Sequence, residues 1–245
     1  MRDDLLAPRP GLGMRSLMNR TLDVATSAMA TLIRLAAGVR VRSPGSQPEK
    51  PLELYEFEAC PFCRKVREAL SSFDLDAMIY PCPRGGRFRA EVKARGGKTQ
   101  FPYLVDPNTG KEMYESDDII HYLADTYRDG KVPFSLGPLT IVSGAFAAAF
   151  RAGKGRKVRP ARPPEKPLEL WSYEASVYSR LAREALNDLE IPYLLHNVAG
   201  KSAGREAFKA RSGKMMVPYL ADPNTGKEMH ESADIVAYLE STYGA

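Results

Sequence analysis

Hydrophobic and polar residues alternate along this chain in short blocks, and the blocks predict strands and helices in a defined order. An apolar run at residues 52–57 predicts a strand, and apolar positions at helical spacing predict a helix over residues 62–73. The later predicted elements are a strand at 76–81, a weak helix at 88–95, strands at 103–105 and 111–115 joined by a turn, and a helix that is capped by Ser116 and runs to about Tyr127. The first half of this order is a βαβ unit, which predicts parallel strands and a right-handed crossover.

The same pattern occurs a second time, 116 residues further along the chain. Aligned without gaps, residues 49–128 and 165–244 are identical at 38 of 80 positions. We therefore predict two copies of one domain, at residues 49–128 and 165–245. Residues 1–48 and 129–164 form two preceding arms.

Each arm consists of an apolar, alanine-containing stretch followed by a basic spacer rich in proline and glycine. The apolar stretches run from Thr21 to Ala37 and from Pro138 to Ala152, and each predicts a helix. We expect these helices to pack on the small domains. Peripheral contact with a membrane surface is the main alternative, and no nucleic-acid partner is expected.

The composition indicates where the positive charge lies along the chain and predicts the compartment of the protein. The chain has 245 residues with 35 Lys and Arg against 30 Asp and Glu, a net charge of +5. The arms carry the excess, because residues 1–48 contain 7 basic and 3 acidic residues and residues 129–164 contain 7 and 1. Only 3 cysteines are present, and no apolar run is long enough to span a bilayer. This composition predicts a cytoplasmic, reducing location.

Two of the cysteines, Cys60 and Cys63, form a C-P-F-C motif where the first strand meets the first helix. A helix N-terminus favours a thiolate, and Arg64 and Lys65 add positive charge nearby. We therefore expect Cys60 to be the nucleophile and Cys63 the resolving thiol. We expect no zinc site, because a structural zinc site needs four ligands and Cys82 is the sole further cysteine. We expect Cys82 to be an ordinary strand residue.

This order of elements, with C-P-F-C at its first helix, resembles the thioredoxin fold and, more closely, glutaredoxins and the N-terminal domain of glutathione S-transferases. The segment KTQFPYL, residues 98–104, resembles the family's cis-proline loop, and Glu115-Ser116 resembles its pair for the γ-glutamyl group. The resemblance implies an α/β chain of two tandem thioredoxin-like domains, each a mixed four-stranded sheet flanked by helices. The all-helical C-terminal domain of the transferases has no counterpart here.

The resemblance also implies a function and a binding site. It implies a glutathione-dependent thiol–disulfide oxidoreductase that acts on disulfide or glutathionylated proteins, with glutathione as cosubstrate. Pro102, as a cis-proline, would turn the backbone of Phe101 to pair with the cysteinyl part of glutathione, and Glu115 and Ser116 would hold its γ-glutamyl end. A glutathione-conjugating enzyme and a non-catalytic glutathione-binding or protein-interaction module are the alternatives. An iron–sulfur cluster, found in some glutaredoxins, stays a further option.

The second copy lacks both thiols, because Ser176 and Ser179 replace the cysteines. It keeps counterparts of the implied glutathione-binding positions, namely Val217, Pro218, Glu231 and Ser232. Ser176 resembles the serine with which some transferase classes stabilise glutathione thiolate. The second copy is therefore either a thiol-less glutathione-binding domain or a copy retained for packing.

Overall fold

The computed structural model describes residues 21–29, 38–41, 44–133, 136 and 155–245. The elements are α1 (residues 21–29), β1 (Leu52–Glu56), α2 (Pro61–Phe73), β2 (Ala77–Pro81), α3 (Phe88–Gly96), β3 (Tyr103–Asp106), β4 (Lys111–Met113), α4 (Ser116–Tyr127), β5 (Leu168–Ser172), α5 (Val177–Asp188), β6 (Tyr193–Asn197), α6 (Arg205–Ser212), β7 (Tyr219–Asp222), β8 (Lys227–His230) and α7 (Ser232–Tyr243). The predicted arm helix from Pro138 to Ala152 and residues 30–37 of the first arm lie outside the described residues.

The two copies form one eight-stranded sheet with the strand order β4-β3-β1-β2-β6-β5-β7-β8. Each copy is the predicted mixed four-stranded unit, with a parallel pair and two antiparallel pairs. The copies join edge to edge because β2 pairs antiparallel with β6. Met78 pairs with Leu194, its own counterpart 116 residues away, so a pseudo-twofold axis passes between these two residues. The joined sheet protects both β2 and β6 from exposure as edge strands.

Helices cover both faces of the sheet. On one face, α2, α4, α5 and α7 pack over a single apolar core that contains residues of both copies. On the opposite face, each copy has a smaller cluster under its own short helix, centred on Val92 in α3 and Phe208 in α6. The shared core makes the two copies one packing unit on the face that carries the C-P-F-C helix.

The arm spacers cross over between the copies. In the first arm, Val41 N donates to Gly200 O of the second copy at 2.8 Å. In the second arm, Val158 N donates to Arg84 O of the first copy at 3.1 Å. The helix α1 also lies on the second copy, where Ser27 Oγ donates to Val177 O at 2.9 Å. The described part of the first predicted arm helix therefore packs on a domain, as expected, and the described parts of both spacers contact the other copy as well as their own.

Among the described residues, no helix is both long and apolar enough to cross a membrane.

Candidate functional site

Cys60 lies in the turn between β1 and α2, where its side chain caps the helix. The N–H of Cys63 donates to Cys60 Sγ at 3.3 Å, and Cys60 has an extended backbone with φ −81° and ψ 122°. Pro61 is the first helical residue, a position at which its missing N–H costs no hydrogen bond. The sulfur is therefore placed against the unpaired N–H groups at the positive end of the helix dipole.

The two thiols of the motif differ in acidity. A hydrogen bond from the Cys63 thiol is the main cause that lowers the pKa of Cys60, assisted by the N–H groups of Cys63 and Phe62 and opposed by burial and by the charge of Glu56. Burial, followed by the interaction with Cys60, raises the pKa of Cys63 well above its ordinary value. Both cysteines are free and buried, with Cys60 4% exposed. The arrangement favours a thiolate on Cys60 and a proton on Cys63.

The two basic residues after the motif are paired with carboxylates. Arg64 Nε lies 3.3 Å from Glu68 Oε1 and 3.4 Å from Glu174 Oε1, and Lys65 forms an ion pair with Asp117. Neither residue is among the main causes that lower the pKa of Cys60. The Cys63 thiol and the N–H groups of Cys63 and Phe62 at the helix N-terminus are.

The predicted cis-proline loops adopt the same conformation in both copies. The Phe101–Pro102 and Val217–Pro218 peptide bonds are both cis. The Phe101 ring packs edge-on against Phe57, the residue after β1, with ring centroids 6.0 Å apart. This contact joins the cis-proline loop of the first copy to the loop that carries the nucleophile.

Glu115 and Ser116 lie at the start of α4. Glu115 is the residue before the helix and has a left-handed φ of 65°, and Glu231 in the second copy has φ 70°. The prediction that Ser116 caps the helix is wrong, because Ser116 is its first helical residue and Glu115 occupies the cap position. Gln100 Nε2 donates to Glu115 Oε1 at 2.5 Å. Positive φ at a non-glycine residue is a form of strain that proteins retain mainly at binding sites.

The second copy reproduces the loop with a hydroxyl in place of the thiol. Ser176 Oγ accepts from Ser179 N at 3.2 Å and caps α5. A cavity of about 390 Å³ opens here and brings Ser176 together with Val217. Pro218, Glu231 and Ser232 do not line this cavity. At the start of α7, Ser232 Oγ is buried and has no hydrogen-bond partner in the described structure.

A buried cluster of charges connects the two candidate loops. Arg67 Nε donates to Glu174 Oε2 at 2.9 Å, and Arg183 donates to both carboxylate oxygens of Glu58 at 3.1 Å. Glu58 and Glu174 each precede the helix-capping Cys60 or Ser176 by two residues. Each loop is held by arginines of both copies, since Arg67 also lies 3.3 Å from Glu58 and Arg183 lies 2.8 Å from Glu174. Each of these four residues is less than 10% exposed.

Sequence reasoning missed this cluster and one further arginine. The Arg89 guanidinium lies 4.7 Å over the Phe101 ring, and its counterpart Arg205 lines the cavity at Ser176. The available signal was identity between the copies, because these arginines and the two loop glutamates are each repeated at an offset of 116 residues.

The third cysteine, Cys82, lies in the protein interior. Cys82 is fully buried beside the end of β2, and burial raises the pKa of its thiol.

In the part of the chain that the structure describes, no group of three or more His, Cys, Asp or Glu side chains could hold a metal ion.

The fold, together with the cysteine that caps α2, defines a thioredoxin-like protein with a C-x-x-C motif at the start of that helix. A family profile described as the N-terminal domain of glutathione S-transferases matches residues 54–131 and 170–245. The chain belongs to this family and contains its domain twice. A solved structure titled "Leishmania TDR1 - a unique trimeric glutathione transferase" is 14% identical and aligns over 79% of this chain and 67% of that chain, with a TM-score of 0.28. A search of the curated proteins gives no match.

Proposed function

We propose that the first copy reduces disulfides with glutathione, with Cys60 as the nucleophile. The observation that carries the proposal is the position of Cys60 Sγ at the start of α2, where it accepts from Cys63 N at 3.3 Å and its pKa is lowered. A thiolate is the nucleophilic form of cysteine, and its fraction at neutral pH rises as the pKa falls. Family membership supports glutathione as the cosubstrate.

The proposed reaction is a sequence of thiol–disulfide exchanges. The Cys60 thiolate attacks one sulfur of a substrate disulfide, which forms a mixed disulfide and releases the other sulfur as a thiolate. Cys63 then loses its proton and attacks the mixed disulfide, which releases the second substrate thiolate and leaves a Cys60–Cys63 disulfide. Two glutathione molecules reduce that disulfide and leave as glutathione disulfide. With a glutathionylated substrate, one glutathione molecule replaces Cys63 in the second step.

Glutathione would be held beside Cys60 by the residues that the family resemblance implies. The backbone of Phe101, before Pro102, would pair with the cysteinyl part. Glu115 and Ser116 would bind the γ-glutamyl end, where the N-terminus of α4 can accept a carboxylate. The left-handed backbone of Glu115 supports this assignment.

The test is reduction of a glutathione mixed disulfide by variants of each cysteine. We expect Cys60→Ser to reduce turnover to the rate without enzyme, because no other described thiol has a lowered pKa. Cys63→Ser should retain reduction of the glutathione mixed disulfide and lose reduction of protein disulfides. Cys82→Ser is the matched control and should retain both reactions. Full activity of Cys60→Ser would refute the proposal.

A second candidate function, binding of glutathione without thiol chemistry, is favoured by the cavity at Ser176. The hydroxyl of Ser176 accepts from Ser179 N and keeps its own proton to donate to a glutathione thiolate. Such a site could support conjugation or serve only in binding. Calorimetric titration of glutathione into a Cys60→Ser, Cys63→Ser protein tests it. Lost heat in Ser176→Ala would support Ser176 as a ligand, and unchanged heat would refute that role.

Three sequence expectations stay predictions. These are a cytoplasmic location, peripheral membrane contact through the basic arms, and an iron–sulfur cluster at the C-P-F-C motif. Sedimentation with anionic vesicles at low salt tests the second. Visible absorbance after anaerobic purification tests the third.

A further inference from the structure

The two sides of the pseudo-twofold axis differ at the junction of β2 and β6. The side that carries Arg87 and Phe88 of the first copy is called the first side. There the Phe88 ring packs edge-on against Tyr80, with ring centroids 5.2 Å apart. The Arg87 guanidinium lies 4.7 Å over the Phe88 ring. Glu190 Oε1 accepts from Phe88 N at 3.0 Å. An aromatic ring, a cation and a carboxylate of this chain therefore occupy the first side.

The counterparts on the second side are smaller. Arg87, Phe88, Glu91 and Glu190 correspond to Ala203, Gly204, Ala207 and Asp74. A cavity of about 350 Å³ lies there, and residues of both copies line it. A Cβ added at Gly204 would meet nothing closer than Ser202 Oγ at 3.5 Å, and Gly204 lines the cavity.

Aromatic side chains form the base of this cavity. Trp171 stacks on His196 with ring centroids 4.4 Å apart and planes at 20°, and Phe208 lies parallel to Trp171 at 6.0 Å. His196 is the counterpart of Tyr80, which packs against Phe88 on the first side. A flat apolar group could therefore lie against His196 in the place where the first copy has its own phenylalanine.

One polar group in the lining is unsatisfied, and it is an acceptor. Asp74 is 4% exposed, its Oδ2 accepts from Ala203 N at 2.9 Å, and its Oδ1 is buried without a hydrogen-bond partner in the described structure. Burial raises the pKa of this carboxyl. In contrast, both oxygens of Asp76 are used, by Asn197 N at 2.8 Å and by His196 Nδ1 at 2.9 Å. A cationic N–H donor would supply the missing partner of Asp74.

We propose that this cavity binds a small planar cation, with an aromatic ring against His196 and a charged N–H donor directed to Asp74. Such a ligand reproduces the Arg87–Phe88 pair that fills the equivalent place in the first copy. The volume is in the range of small-molecule sites, about 300–1,000 Å³. The cavity shares no lining residue with the one at Ser176, so the inference does not depend on the proposed glutathione chemistry.

The chain provides its own reporter for a test, because Trp171 is the single tryptophan. Benzamidine is a planar aromatic cation, and benzamide is its neutral isostere. We expect benzamidine to change Trp171 emission saturably and to raise the melting temperature. Benzamide should bind about tenfold more weakly, the factor expected for a charge-assisted hydrogen bond. Equal affinity of the two compounds, or no response to benzamidine in either readout, would overturn the proposal.

Two variants locate the binding. Gly204→Phe introduces the ring found in the first copy and should abolish the benzamidine response. Asp74→Asn retains an acceptor for Ala203 N and should lower the affinity about tenfold through loss of the charge. Ser176→Ala, in the other cavity, is the control and should bind benzamidine like the wild type. Unchanged affinity in both Gly204→Phe and Asp74→Asn would show that benzamidine binds elsewhere and would also overturn the proposal.

Discussion

The loops at Cys60 and Ser176 have nearly the same geometry and different chemistry. Their capping residues have φ/ψ of −81°/122° and −68°/116°, and each accepts from the N–H three residues later, at 3.3 and 3.2 Å. Both copies have the cis-proline and the left-handed glutamate. The comparison shows that the backbone of the site does not depend on a thiol. The sulfur atom is what would give the first copy its redox function.

The buried charge cluster binds both loops. Arg67 of the first copy binds Glu174 beside the second loop, and Arg183 of the second copy binds Glu58 beside the first. Each glutamate also pairs with the arginine of its own copy, so each loop is bound by arginines of both copies. A buried charge without its partner is costly, so loss of either loop conformation would destabilise both copies.

The largest effect on activity should come from moving the thiols. In a Cys60→Ser, Cys63→Ser background, Ser176→Cys with Ser179→Cys places a C-x-x-C motif at the start of α5. Because that helix N-terminus has the geometry of the first, the introduced thiols should restore disulfide reduction to ~100-fold above the inactive background. The glutathione mixed-disulfide assay measures it.

The control for this transplant is Ser179→Cys alone in the same background, which lacks a thiol at the cap and should stay inactive. Inactivity of the full transplant, in a protein whose introduced thiols react with a thiol reagent, would show that the second copy lacks a working glutathione site.

The largest effect on stability is expected at the charge cluster. Glu174 is buried, and although burial acts in the opposite direction, Arg183, Arg67 and two further arginines hold its pKa well below the ordinary value. Glu174→Gln removes the negative charge that pairs with these arginines. It should lower the free energy of unfolding by about 3–5 kcal/mol. Urea denaturation measures the loss.

Glu165→Gln, at an exposed carboxylate just before β5, is the matched control. It should change the free energy of unfolding by less than about 0.5 kcal/mol. A loss in Glu174→Gln no larger than that of the control would mean that the cluster does not hold the copies together.

The order of elements, the repeat and the position of the cysteines could be predicted from the sequence because they depend on local spacing. The joining of the two sheets could not be predicted from the sequence. The pattern at residues 76–81 predicts a strand, but it does not show whether another strand pairs with its free edge. Arg67 and Arg183 gave no local sign of burial, since polar positions on a helix are ordinarily solvent-facing. The cavity beside Gly204 arises from a loss of side-chain volume that matters only after β2 and β6 are paired.

The smallest effect should come from a pH-dependent contact that the second copy makes and the first lacks. His196 Nδ1 lies 2.9 Å from Asp76 of the first copy, and its Nε2 lies 3.1 Å from Glu169. Its counterpart in the first copy is Tyr80. Burial lowers the pKa of His196, but Asp76 and Glu169 raise it more, so the folded pKa lies above the ordinary value.

A raised folded pKa means that this contact stabilises the protein most below the unfolded pKa, about 6.5, and that the stabilisation is lost as the pH rises through the folded pKa. His196→Gln should therefore lower the free energy of unfolding by about 1 kcal/mol near pH 6, and by less in alkaline solution. Urea denaturation of wild type and variant at both pH values measures the difference, with the exposed His121→Gln as the control. A difference that is the same at both pH values would mean that the protonation of His196 does not contribute to the stability of the folded protein.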